Sequence, residues 1–195
     1  MLAINFLSGN ANKAEEIRML GKREGIEVRW IEYEKLEIQS DDPAAIAKNS
    51  ALTAFEKYRM PLIVEDTGLF IEALKGFPGA YASYVYSTIG LAGILKMLEG
   101  AESRRAYFKT SFCYADGSVV KSFDGKVNGT IATEIRRGLG RSFGYDPIFI
   151  PEGQTKTFSE MSVEEKNRYS HRAMAFESFA SFFKAMHGAQ DRQST

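Results

Sequence analysis

The chain has 195 residues, 44% of them hydrophobic and 26% charged, with 25 basic and 25 acidic side chains. That length gives enough core to fold without staples, since a chain of this size buries roughly 70% of the surface its unfolded form exposes. The zero formal charge excludes a protein built to hold a long polyanion such as DNA, but a few local cations are enough for a small one.

Leu2 to Leu7 reads as a buried strand, too short and too polar at Asn5 for a signal peptide. Ser8-Gly9-Asn10 follows as a turn and cap, and Ala11 to Arg23 places Ala14, Ile17, Met19 and Leu20 at helical spacing. A strand, a glycine turn and a helix N-terminus in succession are where anions bind in α/β proteins. Ile26 to Tyr33 is the next predicted strand. Asp41-Asp42-Pro43 opens a helix that runs to Tyr58 with Ile46, Leu52 and Phe55 inward.

Pro61 to Val64 reads as a short strand ending at Glu65-Asp66-Thr67-Gly68, where the chain is expected to turn. Leu69 to Leu74 continues as a strand or a short helix. Gly76-Phe77-Pro78-Gly79 is a loop, and Ile89 to Leu98 is a helix closed by Gly100. Arg104 to Ala115 and Val119 to Asn128 read as strands joined at Asp116-Gly117, forming a second, antiparallel lobe. Ile131 to Ile135 is another strand. Gly138 to Pro147 is a glycine-rich loop, Ile148 to Ile150 a short strand, and Ser162 with Glu165 a capping box. A last helix spans His171 to Met186, with a frayed polar tail over residues 188–195. The single cysteine, Cys113, lies in an apolar run and reads as a core thiol in a reducing cytosol. With no apolar stretch near the ~20 residues of a membrane helix, a soluble cytoplasmic protein is expected.

Four polar clusters carry candidate chemistry. Ser8, Gly9, Asn10, Ala11, Asn12 and Lys13 suit a phosphate chain: close backbone approach, hydrogen-bond donors and a cation one turn into the helix. Glu65 and Asp66 at a strand end, with Glu37 as a third carboxylate, suit Mg²⁺, which takes oxygen ligands and keeps several waters. Phe143, Gly144, Tyr145 and Asp146, braced by Pro147, offer an aromatic shelf for a base and an acceptor for its N–H groups. Lys166, His171 and Arg172 add cations and donors facing acceptors on a ligand. Taken singly, each cluster has a plain structural alternative: a capped surface helix, an acidic turn, a rigid loop, a charged loop before a capped helix.

As a set they resemble the inosine triphosphate pyrophosphatases, the family that acts on non-canonical purine nucleotides. The matching blocks are Ser8-x-Asn10-x-x-Lys13, Glu65 through Leu69, Gly76-x-Pro78-Gly79-x-Tyr81, Ser142 through Pro147, and Glu165-Lys166-Asn167 with Ser170-His171-Arg172, from Leu2 to about Met186. The resemblance implies an elongated α/β fold, a mixed sheet flanked by helices with two lobes around a central cleft, working as a homodimer. It implies cleavage of ITP, dITP or XTP to the monophosphate and pyrophosphate. By similarity Ser8 to Lys13, with Lys166 and Lys48, would hold the phosphates. Glu37 and Asp66 would hold Mg²⁺ with Glu65 nearby, and Asp66 would accept a proton. Phe143 to Asp146 with His171 and Arg172 would enclose the base, and Thr67 would touch the substrate. One departure follows the Pro-Gly segment, where Tyr81-Ala82-Ser83-Tyr84 stands in place of the family's usual run. A Maf-like nucleotide pyrophosphatase of other specificity and a non-catalytic nucleotide sensor are the competing readings.

Overall fold

The computed structural model describes residues 2–34, 36, 38–138 and 143–193, the last five by their backbone alone. In chain order the elements are β1 (Leu2–Leu7), α1 (Ala11–Glu24), β2 (Ile26–Ile31), α2 (Pro43–Tyr58), β3 (Leu62–Ile71), β4 (Pro78–Gly79), α3 (Ala82–Thr88), α4 (Gly90–Met97), β5 (Arg105–Ala115), β6 (Val120–Ile131), β7 (Phe149–Pro151), α5 (Val163–Tyr169) and α6 (His171–Gln193). Single 3₁₀ turns lie at Glu72–Leu74, Asp146–Ile148 and Phe158–Glu160. The strands form one mixed sheet in the order β2-β1-β3-β5-β6-β7, with β4 on the side of β3. β1 pairs in parallel with β2 and β3, and the remaining neighbours are antiparallel.

Strand length sets the shape of the sheet. β1 and β2 have 6 residues each, whereas β3, β5 and β6 have 10, 11 and 12. The near half is covered on both faces. Ile4, Phe6, Ile63, Phe112 and Tyr114 pack under α1 and α6, while Leu62, Val64, Cys113 and Ala115 pack under Ala47, Ala51 and Ala54 of α2. In the far half Leu69, Ile71, Phe108, Val127 and Ile131 meet Leu91 and Ile94 of α4 and the rings of Phe149 and Phe158. Complete burial of each such side chain stabilises the fold by about 1.5–3 kcal/mol.

Local chemistry explains the ends of the elements. Asn10 caps α1 by accepting from the amides of Asn12 (3.0 Å) and Lys13 (3.2 Å). Asp42 caps α2 just ahead of Pro43. α6 begins against the sheet because β6 carries Gly125 there. A Cβ at that position would collide with the carbonyl oxygen of His171 and the amide of Ala175, so only glycine lets the first turn of α6 settle so close.

Several expectations are corrected. Glu65 to Gly68 does not turn: β3 passes through these residues and ends at Ile71, with a 3₁₀ turn completing the 69–74 segment. Residues 132–135 do not form a strand. Arg104 donates to the carbonyls of Ile131 and Ala132, both at 2.8 Å, which closes the ladder there. Ala82–Thr88 forms a helix where the sequence suggests no element. Leu52 and Met19 point outward, at 40% and 38% exposure. The last helix extends to Gln193 where a frayed tail was expected.

Candidate active site

The cleft opens where β3 outruns β1. β1 pairs only with Leu62, Ile63 and Val64, and β4 pairs with Leu69 and Phe70. Between those contacts Glu65 to Gly68 lie on an edge that the two strands leave uncovered. Gly68 is glycine for a packing reason: a side chain there would meet the carbonyl of Gly79 and the ring of Phe70. A cleft of about 620 Å³ lies at this edge. Asp66 and Thr67 line it from β3, Ser8 to Asn10 with Asn12 and Lys13 from the α1 entry, Phe143 to Asp146 from the loop, and His171 and Arg172 from α6. One volume therefore gathers residues from all four polar clusters of the sequence.

At the α1 end the turn is held from below. The Trp30 indole donates to the Ser8 carbonyl (2.7 Å), and Ser8 Oγ accepts from the Asn10 amide (3.1 Å). Lys13 reaches back across the strand edge, and its ammonium contacts Glu65 Oε1.

The opposite end is a buried chain of alternating charges. Asp146 Oδ2 accepts from the Phe143 amide (3.2 Å) and from Lys166 Nζ (2.8 Å). Lys166 Nζ also donates to Glu16 Oε1 (2.7 Å), and Glu16 Oε2 accepts from Arg172 (2.5 Å). Arg172 Nε stands 3.5 Å from Glu65 Oε2, and its guanidinium lies over the Phe143 ring at 5.9 Å. Arg172 is 1% exposed although it borders the cleft. Charges at such depth persist only when paired. Burial alone pushes the Glu16 carboxyl up, but the charges of Arg172 and Lys166 outweigh it and hold Glu16 below its ordinary range. Burial raises Asp146 above its ordinary value despite Lys166 beside it. For Lys166 burial works downward, and Asp146 and Glu16 reverse it, so the ammonium is retained. His171 is pushed well below its ordinary value by burial and then by Arg172 and Lys166, so it is a neutral imidazole.

The placement of the expected residues is mixed. Glu65 and Asp66 are adjacent in a regular strand, so their side chains leave on opposite faces. Glu65 goes to the face of Lys13 and Arg172. Asp66, 6% exposed, borders the cleft from the other face. The structure therefore does not bring the two carboxylates together, as a turn at 65–68 would have done. Lys166 is engaged by Asp146 and Glu16, and it is not among the residues lining the cleft. Lys48 lies exposed on α2, also off the lining, as does Ala11. The Tyr145 hydroxyl donates to the Ala82 carbonyl (2.9 Å), which ties the loop of Phe143 to Asp146 to α3. Ser83, in the departing segment, does line the cleft. Glu37 and Ser142 lie outside the described residues. Sequence reasoning missed Glu16 and Thr110. Glu16 was findable, three residues beyond Lys13 on the same helix face. Thr110 gives no signal within its strand.

Comparison with known proteins finds a family and relatives that span most of the chain. The model of the Ham1 family matches residues 4–182. The chain is 52% identical over 182 residues to the dITP/XTP pyrophosphatase of Saccharolobus solfataricus, covering 93% of this chain and 94% of that one. The chain belongs to the Ham1 family. A further relative, the dITP/XTP pyrophosphatase of Thermococcus kodakarensis, is 46% identical over 94% of this chain and 98% of its own. Among solved Ham1 structures, a HAM1 protein from Coxiella burnetii superposes with a TM-score of 0.81 at 27% identity, over 95% of this chain and all of that chain (100%).

Proposed function

We propose that this Ham1 protein hydrolyses non-canonical purine nucleoside triphosphates (ITP, dITP and XTP) to the monophosphate and pyrophosphate. The observation that carries the reading is the single cleft bordered by Lys13, Asp66, Phe143 and Arg172, in a chain whose relatives are named dITP/XTP pyrophosphatases. The triphosphate lies toward Ser8 to Lys13, where the α1 N-terminus and the Lys13 ammonium favour negative charge. The base stacks on Phe143, and Arg172 donates to its 6-keto oxygen. A water attacks the α-phosphorus in line, the bond to the bridging oxygen breaks, and pyrophosphate leaves. Asp66 orients this water and takes its proton at the carboxylate.

Mg²⁺ is the metal that the donor set fits. Among the described residues no three histidine, cysteine or acidic side chains converge on one point, which disfavours a closed protein cage. Asp66 at the cleft wall, joined by Glu37 as the family resemblance implies, matches an ion that keeps waters and takes the remaining oxygens from phosphates. When bound, such an ion supplies electrostatic stabilisation of the departing pyrophosphate. The family resemblance also supports a homodimer working in the cytoplasm, for which light scattering on the purified protein checks the mass.

The deciding experiment incubates purified protein with Mg²⁺ and ITP, XTP, ATP or GTP in parallel and measures pyrophosphate. Release from ITP and XTP well ahead of ATP is expected. Equal turnover of all four, or release of orthophosphate in place of pyrophosphate, would remove this reading.

A further inference from the structure

Behind the cleft wall a line of polar groups runs from α6 across two strands. His171 Nδ1 lies 2.6 Å from Thr110 Oγ1, Thr110 Oγ1 lies 2.5 Å from Thr67 Oγ1, and Thr67 Oγ1 lies 2.8 Å from Glu65 Oε2. Each threonine owns one hydroxyl proton, so the line has a direction, set at the end where no choice exists. Glu65 has the Lys13 ammonium on one oxygen and Arg172 Nε 3.5 Å from the other, so it is a carboxylate and only accepts. Thr67 therefore donates to Glu65, and its own oxygen accepts from Arg172 (3.4 Å) and from Thr110. With its proton directed to Thr67, Thr110 accepts from His171, and the imidazole must carry its hydrogen on Nδ1. The opposite direction would set lone pairs of Glu65 and Thr67 against each other at 2.8 Å inside the protein.

The ring has no room for a second proton. It is 4% exposed and stacked on Phe108 at 4.7 Å, and burial with the nearby cations of Arg172, Lys166 and Lys13 outweighs the opposing charge of Glu65. A neutral imidazole with its hydrogen on Nδ1 presents a bare lone pair at Nε2. His171 lines the cleft, and Nε2 is the nitrogen that Thr110 leaves available to it.

We infer that Thr110, through this directed line, fixes the tautomer of His171 and makes Nε2 a hydrogen-bond acceptor for a ring N–H of the bound purine. The second half rests on the reading of the cleft as a purine nucleotide site. It reverses the role expected from the sequence, where His171 joined Arg172 as a donor. The keto oxygen falls to Arg172 and the neighbouring N1–H to His171. Hypoxanthine and xanthine match this donor–acceptor pair. Adenine, with an amino group and a bare N1, opposes it at both positions, and mismatches of this kind are rejected strongly. Thr110 is a positioning residue, touching substrate only by way of His171.

The tautomer is measurable in the ligand-free protein by long-range ¹⁵N–¹H correlation. The chain has only 2 histidines, and a His187→Asn sample assigns them. The wild type is expected to show His171 protonated at Nδ1 near neutral pH. Protonation at Nε2 overturns the proposal whether or not ITP is hydrolysed, and this measurement needs no substitution at the buried line. Thr110→Val removes the hydroxyl at nearly constant shape. It is expected to abolish the Nδ1–H preference and raise the KM for ITP roughly tenfold, with a smaller fall in kcat and little change in the KM for ATP. Thr110→Ser should restore both readouts. A valine variant that keeps the tautomer and the ITP preference, one that loses ITP and ATP equally, or a serine variant that fails to restore them, overturns it.

Discussion

The two ends of the cleft hold charge in different ways. The α1 end is built from a turn, a helix N-terminus and one lysine, with Gly9, Ala11 and Asn12 open to solvent. The opposite end, where the proposed reading seats the base, is built from Glu16, Asp146, Lys166 and Arg172, paired with one another inside the protein. A phosphate chain brings its own charge and needs only an electropositive berth. A purine differs from its competitors by one or two hydrogens, so its site must hold donors and acceptors rigidly before it arrives. Solvated, adjustable contacts serve affinity, and buried, mutually locked ones serve discrimination.

Substitutions along the cleft test that contrast. The largest effect is expected at the reacting centre between the two ends. Asp66→Asn should lower kcat on the order of 10²-fold or more, measured as pyrophosphate release, with an unchanged circular dichroism spectrum. Wild-type turnover in that variant removes the role given to Asp66. Arg172→Lys keeps the charge but loses the planar fork, and should cut the ITP-over-ATP preference by about tenfold or more while affecting all triphosphates less. Lys13→Ala should do the reverse: the KM for every triphosphate rises by about tenfold and the base preference stays fixed. Should Lys13→Ala alter the base preference instead, the division of labour between the ends is wrong.

Two smaller effects concern stability. Glu16→Gln breaks a buried pairing and should cost on the order of 3 kcal/mol in denaturant unfolding near pH 7. Glu16 is held below its ordinary value of 4.5, so its stabilising effect is fully present above that pH and is lost as pH falls through the lower folded-state value. The gap between wild type and variant should therefore narrow only in acid. A gap that is constant from pH 7 to pH 3 would contradict the assigned pairing. Asn10→Ala removes a cap on the solvated end and should cost about 1 kcal/mol with little change in selectivity.

The same contrast decides what could be read in the chain before folding. The α1 end was legible because its chemistry is local: strand, turn, cap and helix lie within a dozen residues. The base loop was legible in part for the same reason, since glycine, aromatic residue, Asp146 and Pro147 are consecutive. The network that gives the loop its charge was not, because Glu16 meets Lys166 across 150 positions and Arg172 across 156. The length of β3 was misread because Glu65-Asp66 has the look of a strand end. Lys13 and Arg172 neutralise Glu65 inside the sheet, and neither partner is a neighbour in sequence. The α3 helix was missed since it has no side-chain cap and is rich in aromatic and β-branched residues.

Phe108 belongs to two structures at once. It packs against Phe149 at 4.7 Å in the far core and stacks at the same distance beneath His171. If His171 reads the base as proposed, heat tolerance and substrate choice share a hinge pin, and neither is free to drift alone over generations. Sequence changes that harden the far core against temperature would tilt the imidazole and surface as an altered appetite for nucleotides, although none of them would lie within reach of one.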